Sequence, residues 1–226
     1  MSRVAEQLVT GSAPVRRRPK ATLLIGIVLT GLIALMALVS LFWLPYPLAD
    51  TSGGRLEGPS ALHLLGTDRL GRDLLSQLMW GARIALVVGT CAVAIAAVLG
   101  TIVGLLAAFA RPWVDDTLSA GLDVVIAFPV LLLAMLVVAV QGASLWSAVL
   151  AIGLAMSAVV ARLTRILARR VLQEQFITAA RTSGTGVLGV VFQHVLPNIA
   201  PTLAVSLALQ FGAAVLAEAS LSYLGL

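Results

Sequence analysis

Charged side chains are scarce in this sequence. Asp, Glu, Lys and Arg make up 11% of its 226 residues, hydrophobic residues make up 60%, and the mean hydropathy is +1.04. Because a typical soluble domain carries about 25% charged residues, this composition excludes a water-soluble globular domain, a disordered chain and a coiled coil.

The residues that usually carry chemistry are also few. Cys91 is the single cysteine and lies in an apolar run, so there is no disulfide framework or thiolate cluster, and we interpret it as a packing residue. The only lysine, Lys20, stands between Pro19 and Ala21, so the P-loop pattern Gly-x4-Gly-Lys-Ser/Thr is absent and the chain cannot hydrolyse ATP alone. No HExxH or GxSxG motif occurs. We therefore predict that the chain is not an enzyme and binds no metal or other cofactor itself.

The charges leave four runs of 27 to 38 residues without any Asp, Glu, Lys or Arg. About 20 apolar residues span a bilayer, so the first two runs predict single transmembrane helices over 21–44 and 84–110. The third run is too long for one helix, and Gln141-Gly142-Ala143-Ser144 predicts a hairpin between two spans. The last run is polar and rich in glycine up to Asn198 and predicts a fifth span over 199–217. The predicted fold is an all-α polytopic membrane protein with five spans.

The charges of the loops predict the topology. The predicted N-terminal tail, 1–20, and the segment 162–181 each carry five basic residues and one acidic residue, whereas 45–83 is neutral and 111–123 has a net charge of −2. The positive-inside rule places both basic segments in the cytoplasm, and four spans lie between them. The N-terminus is therefore predicted inside the cell, 45–83 outside or at the interface, and His63 and His194 on opposite sides of the membrane.

The segment 162–198 combines an amphipathic pattern with a turn. Arg162, Arg165 and Arg169 recur at helical spacing, which predicts that span four continues as a cytoplasmic helix. Small residues followed by Gly184 predict a second short helix that ends sharply. The spacing Ala-Ala-x3-Gly followed by Leu-Pro resembles the coupling loop of permease subunits in ABC importers, which docks on an ATPase subunit. The docking residues that this resemblance implies are Phe176, Thr178, Ala179, Ala180, Arg181, Gly184, His194, Leu196 and Pro197. The family usually has glutamate where this chain has Thr178. The alternative is a basic cytoplasmic loop without a partner.

A second motif precedes span two. The stretch Leu65-Gly-Thr-Asp-Arg-Leu-Gly-Arg-Asp-Leu, followed by Trp80-Gly-Ala-Arg, resembles the C-type permease subunits of dipeptide and oligopeptide importers, as do His194-x-Leu-Pro-Asn and Asp123 to Pro129. We predict that Thr67 or Asp68 caps a short interfacial helix, with a structural role favoured over substrate contact. Gly100 and Gly104 permit close helix approach. The predicted structural or interfacial residues are Gly66, Thr67, Asp68, Gly71, Arg72, Asp73, Gly81, Arg83, Gly100, Gly104, Asp123 and Pro129.

The resemblance implies a type I ABC-importer transmembrane domain over 84–226 in the cytoplasmic membrane. Its implied function is import of dipeptides or oligopeptides. The implied partners are a second permease subunit, two P-loop ATPase subunits, which would bind ATP and Mg²⁺, and an extracytoplasmic solute-binding protein. Because family members continue with a further span, the chain is expected to be one helix short. Import of nickel or another small solute remains an alternative, as does a secondary carrier, although the spans lack the intramembrane acids that ion coupling uses.

Overall fold

A computed structural model describes residues 21–224, and the predicted cytoplasmic tail 1–20 and the last two residues lie outside that range. The described part is helical apart from loops and one isolated β-bridge, which confirms the predicted all-α class. Its elements are α1 (Ala21–Val39), α2 (Leu74–Phe109), α3 (Pro112–Ala127), α4 (Val130–Gln141), α5 (Leu145–Leu172), α6 (Gln175–Thr182), α7 (Val187–Gly189), a π-helical turn (Val190–Val195) and α8 (Leu196–Tyr223).

Four stretches are long and apolar enough to cross a membrane: α1, α2, α5 and the continuous stretch from α7 to α8. The bent pair of α3 and α4 would make a fifth crossing, so the described residues contain four to five candidate spans. The first helix ends at Val39, five residues before the predicted end at 44, and a turn follows it.

The second span begins earlier than predicted. Helix α2 starts at Leu74 and runs without a break to Phe109, so Arg83, where we predicted the interfacial segment to end, lies inside the helix. The predicted short helix capped by Thr67 or Asp68 is absent, because residues 64–73 form turns and a bridge. The residue that caps α2 is Asp73, whose Oδ2 accepts a hydrogen bond of 2.8 Å from the Ser76 N–H.

The third span also differs from the prediction of one helix that starts near residue 124. Helix α3 begins at Pro112, and α4 follows after a break at Phe128 and Pro129, where the chain bends by 90°. Proline has no N–H and its ring clashes with the preceding turn, and a residue before proline is driven to extended geometry. Phe128 has φ −78° and ψ 132°, which fits this steric effect. Pro129 therefore separates two helices.

Helix α5 follows the prediction. Gly142 and Ser144 form the hairpin between α4 and α5, and Ser144 Oγ caps α5 by accepting from the Ser147 N–H. The helix then continues past Arg162 to Leu172, as the amphipathic pattern indicated.

The last span begins before residue 199. The chain is already helical at Val187, and the Leu196 N–H bonds to Val191 O, five residues earlier. Pro197 has no N–H to donate to the carbonyl of Gln193, so an i to i−4 hydrogen bond cannot form there. The wider π-helical turn, with bonds from i to i−5, occurs where that bond is missing.

The chain divides into two compact units at Ala82, Met1–Ala82 and Arg83–Leu226. Within the second unit, the carboxy-terminal part of α2 crosses α5 at glycines. A Cβ on Gly100 would stand 2.7 Å from Ser157 O, and one on Gly153 would stand 3.0 Å from Ala92 O. The backbones meet directly at this crossing, and α5 packs further on α3, α4 and α8.

Candidate functional site

The short helix α6 presents an uncovered face. Ile177 is buried, with 1% of its surface exposed, and packs α6 against the rest of the second unit. Thr178, Ala179 and Arg181 are exposed, and Phe176 is 42% exposed. A helix of eight residues is not stable alone, so the buried side holds it in place while the other side stays available to a partner.

The end of α6 is a Schellman motif. The Thr185 N–H bonds to Ala180 O and the Gly184 N–H bonds to Arg181 O, both at 3.0 Å. Gly184 has φ +88°, which a residue with a Cβ adopts only with strain, and its Cβ position is otherwise open space. Glycine is therefore required here by the backbone and not by packing.

The π-helical turn is the surface on which α6 rests. The rings of Phe176 and His194 lie 6.0 Å apart at 53°, and Val190 and Val195 of the turn are buried. The predicted docking residues of α6 thus pack beside His194 of the π-helical turn, and Leu196 and Pro197 follow at the start of α8. Leu196 packs against the core, Pro197 is exposed, and Asn198 Nδ2 bonds back to His194 O at 2.6 Å.

An ion cluster joins α3 to α5 near the end of α5, shortly before α6 begins. Asp115, 2% exposed, accepts from Arg165 Nε at 2.5 Å and Arg165 Nη2 at 2.6 Å, and from Arg169 Nη2 at 2.6 Å. Nearby, the exposed pair of Arg162 and Asp123 is separated by 3.2 Å. Sequence reasoning did not identify Asp115 as a site residue. The available signal was the charge of −2 over 111–123, predicted on the same side of the membrane as the basic segment 162–181.

The loop before α2, in the first unit, is organised around Asp73. Its Oδ2 accepts from Ser76 N–H and Ser76 Oγ, and its Oδ1 accepts from His63 Nδ1 at 3.1 Å. Burial raises the pKa of Asp73, but the hydrogen bonds from Ser76 and His63 lower it by more, so the pKa lies below its usual range. The carboxylate is the charged centre of this loop.

Two further motif residues hold the same loop. Thr67 Oγ1 donates to Gly54 O and accepts from the Glu57 N–H, and Asp68 Oδ1 accepts from the N–H groups of Leu70 and Arg72. The backbone hydrogen bond from Arg72 contributes most to lowering the pKa of Asp68, and desolvation acts in the opposite direction. These side chains bind the loop's own backbone, and Asp68 Oδ2 also accepts from Gln77 Nε2 of α2 at 3.1 Å.

Comparison with known proteins fits this arrangement. Residues 100–226 match the family described as binding-protein-dependent transport system inner membrane component. The chain belongs to this family. It is 37% identical over 204 residues to the dipeptide transport system permease protein of Alkalihalophilus pseudofirmus, which covers 90% of this chain and 67% of the relative.

Two other relatives name different cargo. The di/tripeptide transport system permease protein of Pseudomonas aeruginosa is 42% identical over 171 residues, covering 76% of this chain and 56% of the relative. The nickel transport system permease protein of Escherichia coli K12 is 36% identical over 203 residues, covering 89% of this chain and 73% of the relative. The permease thus spans between about half and three quarters of the length of these three relatives.

The predicted site residues of the permease fall into four places. The docking residues gather at α6 and its glycine turn, at the end of the π-helical turn and at the start of α8. The motif before α2 forms the loop around Asp73, in which Gly66, Gly71 and Asp73 are buried, Arg72 is half-buried, and Arg83 and exposed Gly81 lie in α2. Gly100 and Gly104 lie at the crossing of α2 with α5, while Asp123 and Pro129 belong to α3 and its bend.

As an inner-membrane component of its transport system, the permease is the non-catalytic membrane part, and no cofactor is expected for it. Among residues 21–224, no group of three or more His, Cys, Asp or Glu side chains is arranged to hold a metal ion.

Proposed function

We propose that this chain is a permease subunit of an ATP-driven ABC importer and that its cargo is short peptides. Two of the relatives described above are named for dipeptide or di/tripeptide transport. The observation that carries the proposal is the uncovered face of α6, which lies on a buried anchor and ends in a glycine turn. A short helix with one exposed face and a glycine turn is what we expect of a coupling loop that docks on an ATPase subunit.

The proposed topology places 111–123 and 162–198 in the cytoplasm and 45–73 outside. The ion pairs between Asp115 and Arg165 and between Asp123 and Arg162 support placement of the first two segments on one side. The positive-inside rule assigns that side to the cytoplasm. The hairpin at Gly142 and the end of α8 then face outward.

The proposed complex follows from this topology. The α6 face docks on one of two P-loop ATPase subunits, a second permease subunit completes the translocation path, and an extracytoplasmic binding protein delivers the peptide. In this scheme the permease moves no proton and forms no covalent bond. It transmits a displacement of α6 to the spans that line the path.

The test is reconstitution of the whole complex. The chain would be co-expressed with a sister permease and a P-loop ATPase subunit, if neighbouring reading frames encode them, purified in mild detergent and placed in proteoliposomes with a solute-binding protein. We expect co-purification of the ATPase and uptake of a radiolabelled dipeptide that stops when a non-hydrolysable ATP analogue replaces ATP.

Three other outcomes would contradict parts of the proposal. A chain that purifies alone contradicts the importer assembly, and uptake that does not require ATP indicates a secondary carrier. Uptake of radiolabelled nickel without uptake of dipeptide would assign the cargo named for the Escherichia coli relative. The same vesicles serve for both cargoes, so the two cargo assignments are compared directly.

A further inference from the structure

We propose that Asp115 is a positioning residue that fixes α3 to α5, so that both helices move as one body when α6 is displaced. This inference rests on the proposed function. It names the group that carries motion from the docking helix to the bend between α3 and α4.

The first argument is geometric. Arg165 binds both oxygens of Asp115 through two N–H groups, and Arg169 adds a third contact from the next turn. A bidentate guanidinium-carboxylate pair fixes orientation as well as distance, because its two hydrogen bonds are parallel and planar. The residues joined are 50 positions apart, so the cluster is a tertiary link and not a local helix pair.

The second argument is the regularity of the contact. Asp115, Ser119 and Asp123 are spaced four residues apart along one face of α3. Arg162, Arg165 and Arg169 recur along one face of α5. The earlier acid of α3 pairs with the later arginine of α5 and the later acid with the earlier arginine, so the two helices run in opposite directions at this contact. We call these six residues the polar seam. The seam holds two helical turns in register, and its residues Ser119, Asp123, Arg162 and Arg165 line a cavity of about 60 Å³.

The third argument is position along the chain. Arg169 lies three residues before the end of α5, and only Gln173 and Glu174 separate α5 from α6. On the other side, Asp115 stands in the first turn of α3, about 18 Å along the helix from its end at Ala127. The 90° bend into α4 follows directly. A displacement at the base of α5 is therefore applied to one end of α3 and delivered at the other.

The fourth argument compares the means of packing. Where α5 meets α2, small residues bring the backbones together. Where α5 meets α3, the chain buries a carboxylate, which is costly near a membrane and is retained where the charge has a function. Asp116, the next residue, is exposed and has no ion pair within the described 21–224. Of these two adjacent acids, Asp115 is the one that joins α3 to α5.

The main experiment uses the assembled complex in proteoliposomes and compares Asp115→Asn with the matched control Asp116→Asn. Each variant removes one negative charge from the same turn. We expect Asp115→Asn to co-purify with the ATPase and to keep its basal ATP hydrolysis, while peptide transported per ATP hydrolysed falls about fivefold or more. Asp116→Asn should match the wild type.

Two results would overturn the proposal. One is an unchanged ratio of transport to ATP hydrolysis in Asp115→Asn, including the case in which both fall together with the amount of assembled complex. That pattern means that Asp115 supports folding alone. The other is equal behaviour of Asp115→Asn and Asp116→Asn.

A second measurement does not require the ATPase, so it separates this inference from the proposed function. Spin labels at Ala120→Cys and Arg170→Cys, in a Cys91→Ser background, report the distance between α3 and α5 in the full chain in nanodiscs. We expect one narrow distance distribution, broadened by Asp115→Asn and not by Asp116→Asn. An equally narrow distribution in both variants would overturn the link, whatever the chain transports.

Discussion

The carboxylate of Asp73 accepts hydrogen bonds from both the backbone N–H and the hydroxyl of Ser76, each at 2.8 Å. These bonds cap the 36-residue helix α2 at its first turn and tie it to the loop that contains His63. The starting point of the longest helix in the described residues is therefore set by one side chain.

Asp73→Ala should lower the free energy of unfolding by about 1–3 kcal/mol, because the change removes a cap and leaves buried donors without an acceptor. Asp50→Ala is the control, since Asp50 accepts from the N–H and side chain of Ser52 in an exposed turn. Its effect should stay within about 0.5 kcal/mol. Denaturation of both variants in detergent measures the difference, and equal destabilisation would contradict the capping role.

The same carboxylate should make stability depend on pH. The pKa of Asp73 is lower in the folded chain than in the unfolded chain, because the hydrogen bonds from Ser76 and His63 outweigh the effect of burial. Its stabilisation is therefore present above the unfolded value of about 3.9 and is lost as pH falls through the lower folded value. The difference in unfolding temperature between wild type and Asp73→Asn should be constant from pH 6 to 5 and shrink below about pH 4. A difference that grows on acidification would contradict this assignment.

Gly184→Val should impair coupling without preventing membrane insertion. A residue with a Cβ at φ +88° is strained by about 1–2 kcal/mol, which shifts the population of the observed turn by about 5- to 30-fold. Gly186→Val is the matched control, because Gly186 is also exposed but has φ −70°. Peptide uptake and ATPase stimulation of the reconstituted complex measure the effect. If the two variants perform alike, the left-handed turn is not needed for docking.

Gly100→Ala should destabilise the second unit by about 1–3 kcal/mol, because the added methyl group overlaps Val160 and approaches Ser157 O at 2.7 Å. Gly212→Ala in α8 is the control, since nothing lies within 4 Å of its added Cβ. Helix propensity predicts that this control is neutral or more stable by up to about 1 kcal/mol. Thermal unfolding in detergent distinguishes the two, and a neutral Gly100→Ala would contradict the direct backbone contact.

The proposed topology predicts which side of the membrane each loop faces. In a Cys91→Ser background, Asp116→Cys and Ser183→Cys should react with a membrane-impermeant thiol reagent only from the cytoplasmic side. Ala143→Cys in the hairpin should react only from the opposite side. All three positions are exposed, so access differs by side and not by burial. Labelling of positions 116 and 183 from opposite sides would contradict the shared placement.

Much of the site could be predicted because its signals are local. The small residues before Gly184 predict a short helix with a glycine end, and that end is satisfied by hydrogen bonds within six residues. The hairpin at Gln141–Ser144 was predicted for the same reason, since its turn and cap lie within a few positions. The side on which α6 is buried was not predictable, because Ile177 is covered by residues later in the chain.

Two helix boundaries in the structure differ from the predicted spans, because each depends on a single residue that competes with a longer pattern. The charge of Arg83 predicted that the second span begins after it. A single arginine does not interrupt a helix, and α2, which is capped by Asp73, continues through Arg83. Similarly, a continuous apolar run suggested a single helix after residue 124. Proline at 129 imposed a bend that hydropathy does not record.

The sequence by itself determined that this chain is helical and lies in a membrane, and it predicts five spans and which loops share a side. These properties follow from the cost of charge in hydrocarbon, which is additive along the chain. Only the tertiary structure decided which of two adjacent acids, Asp115 or Asp116, binds Arg165. That choice depends on the rotation of α3 about its axis where it packs on α5, a relation between segments 50 residues apart.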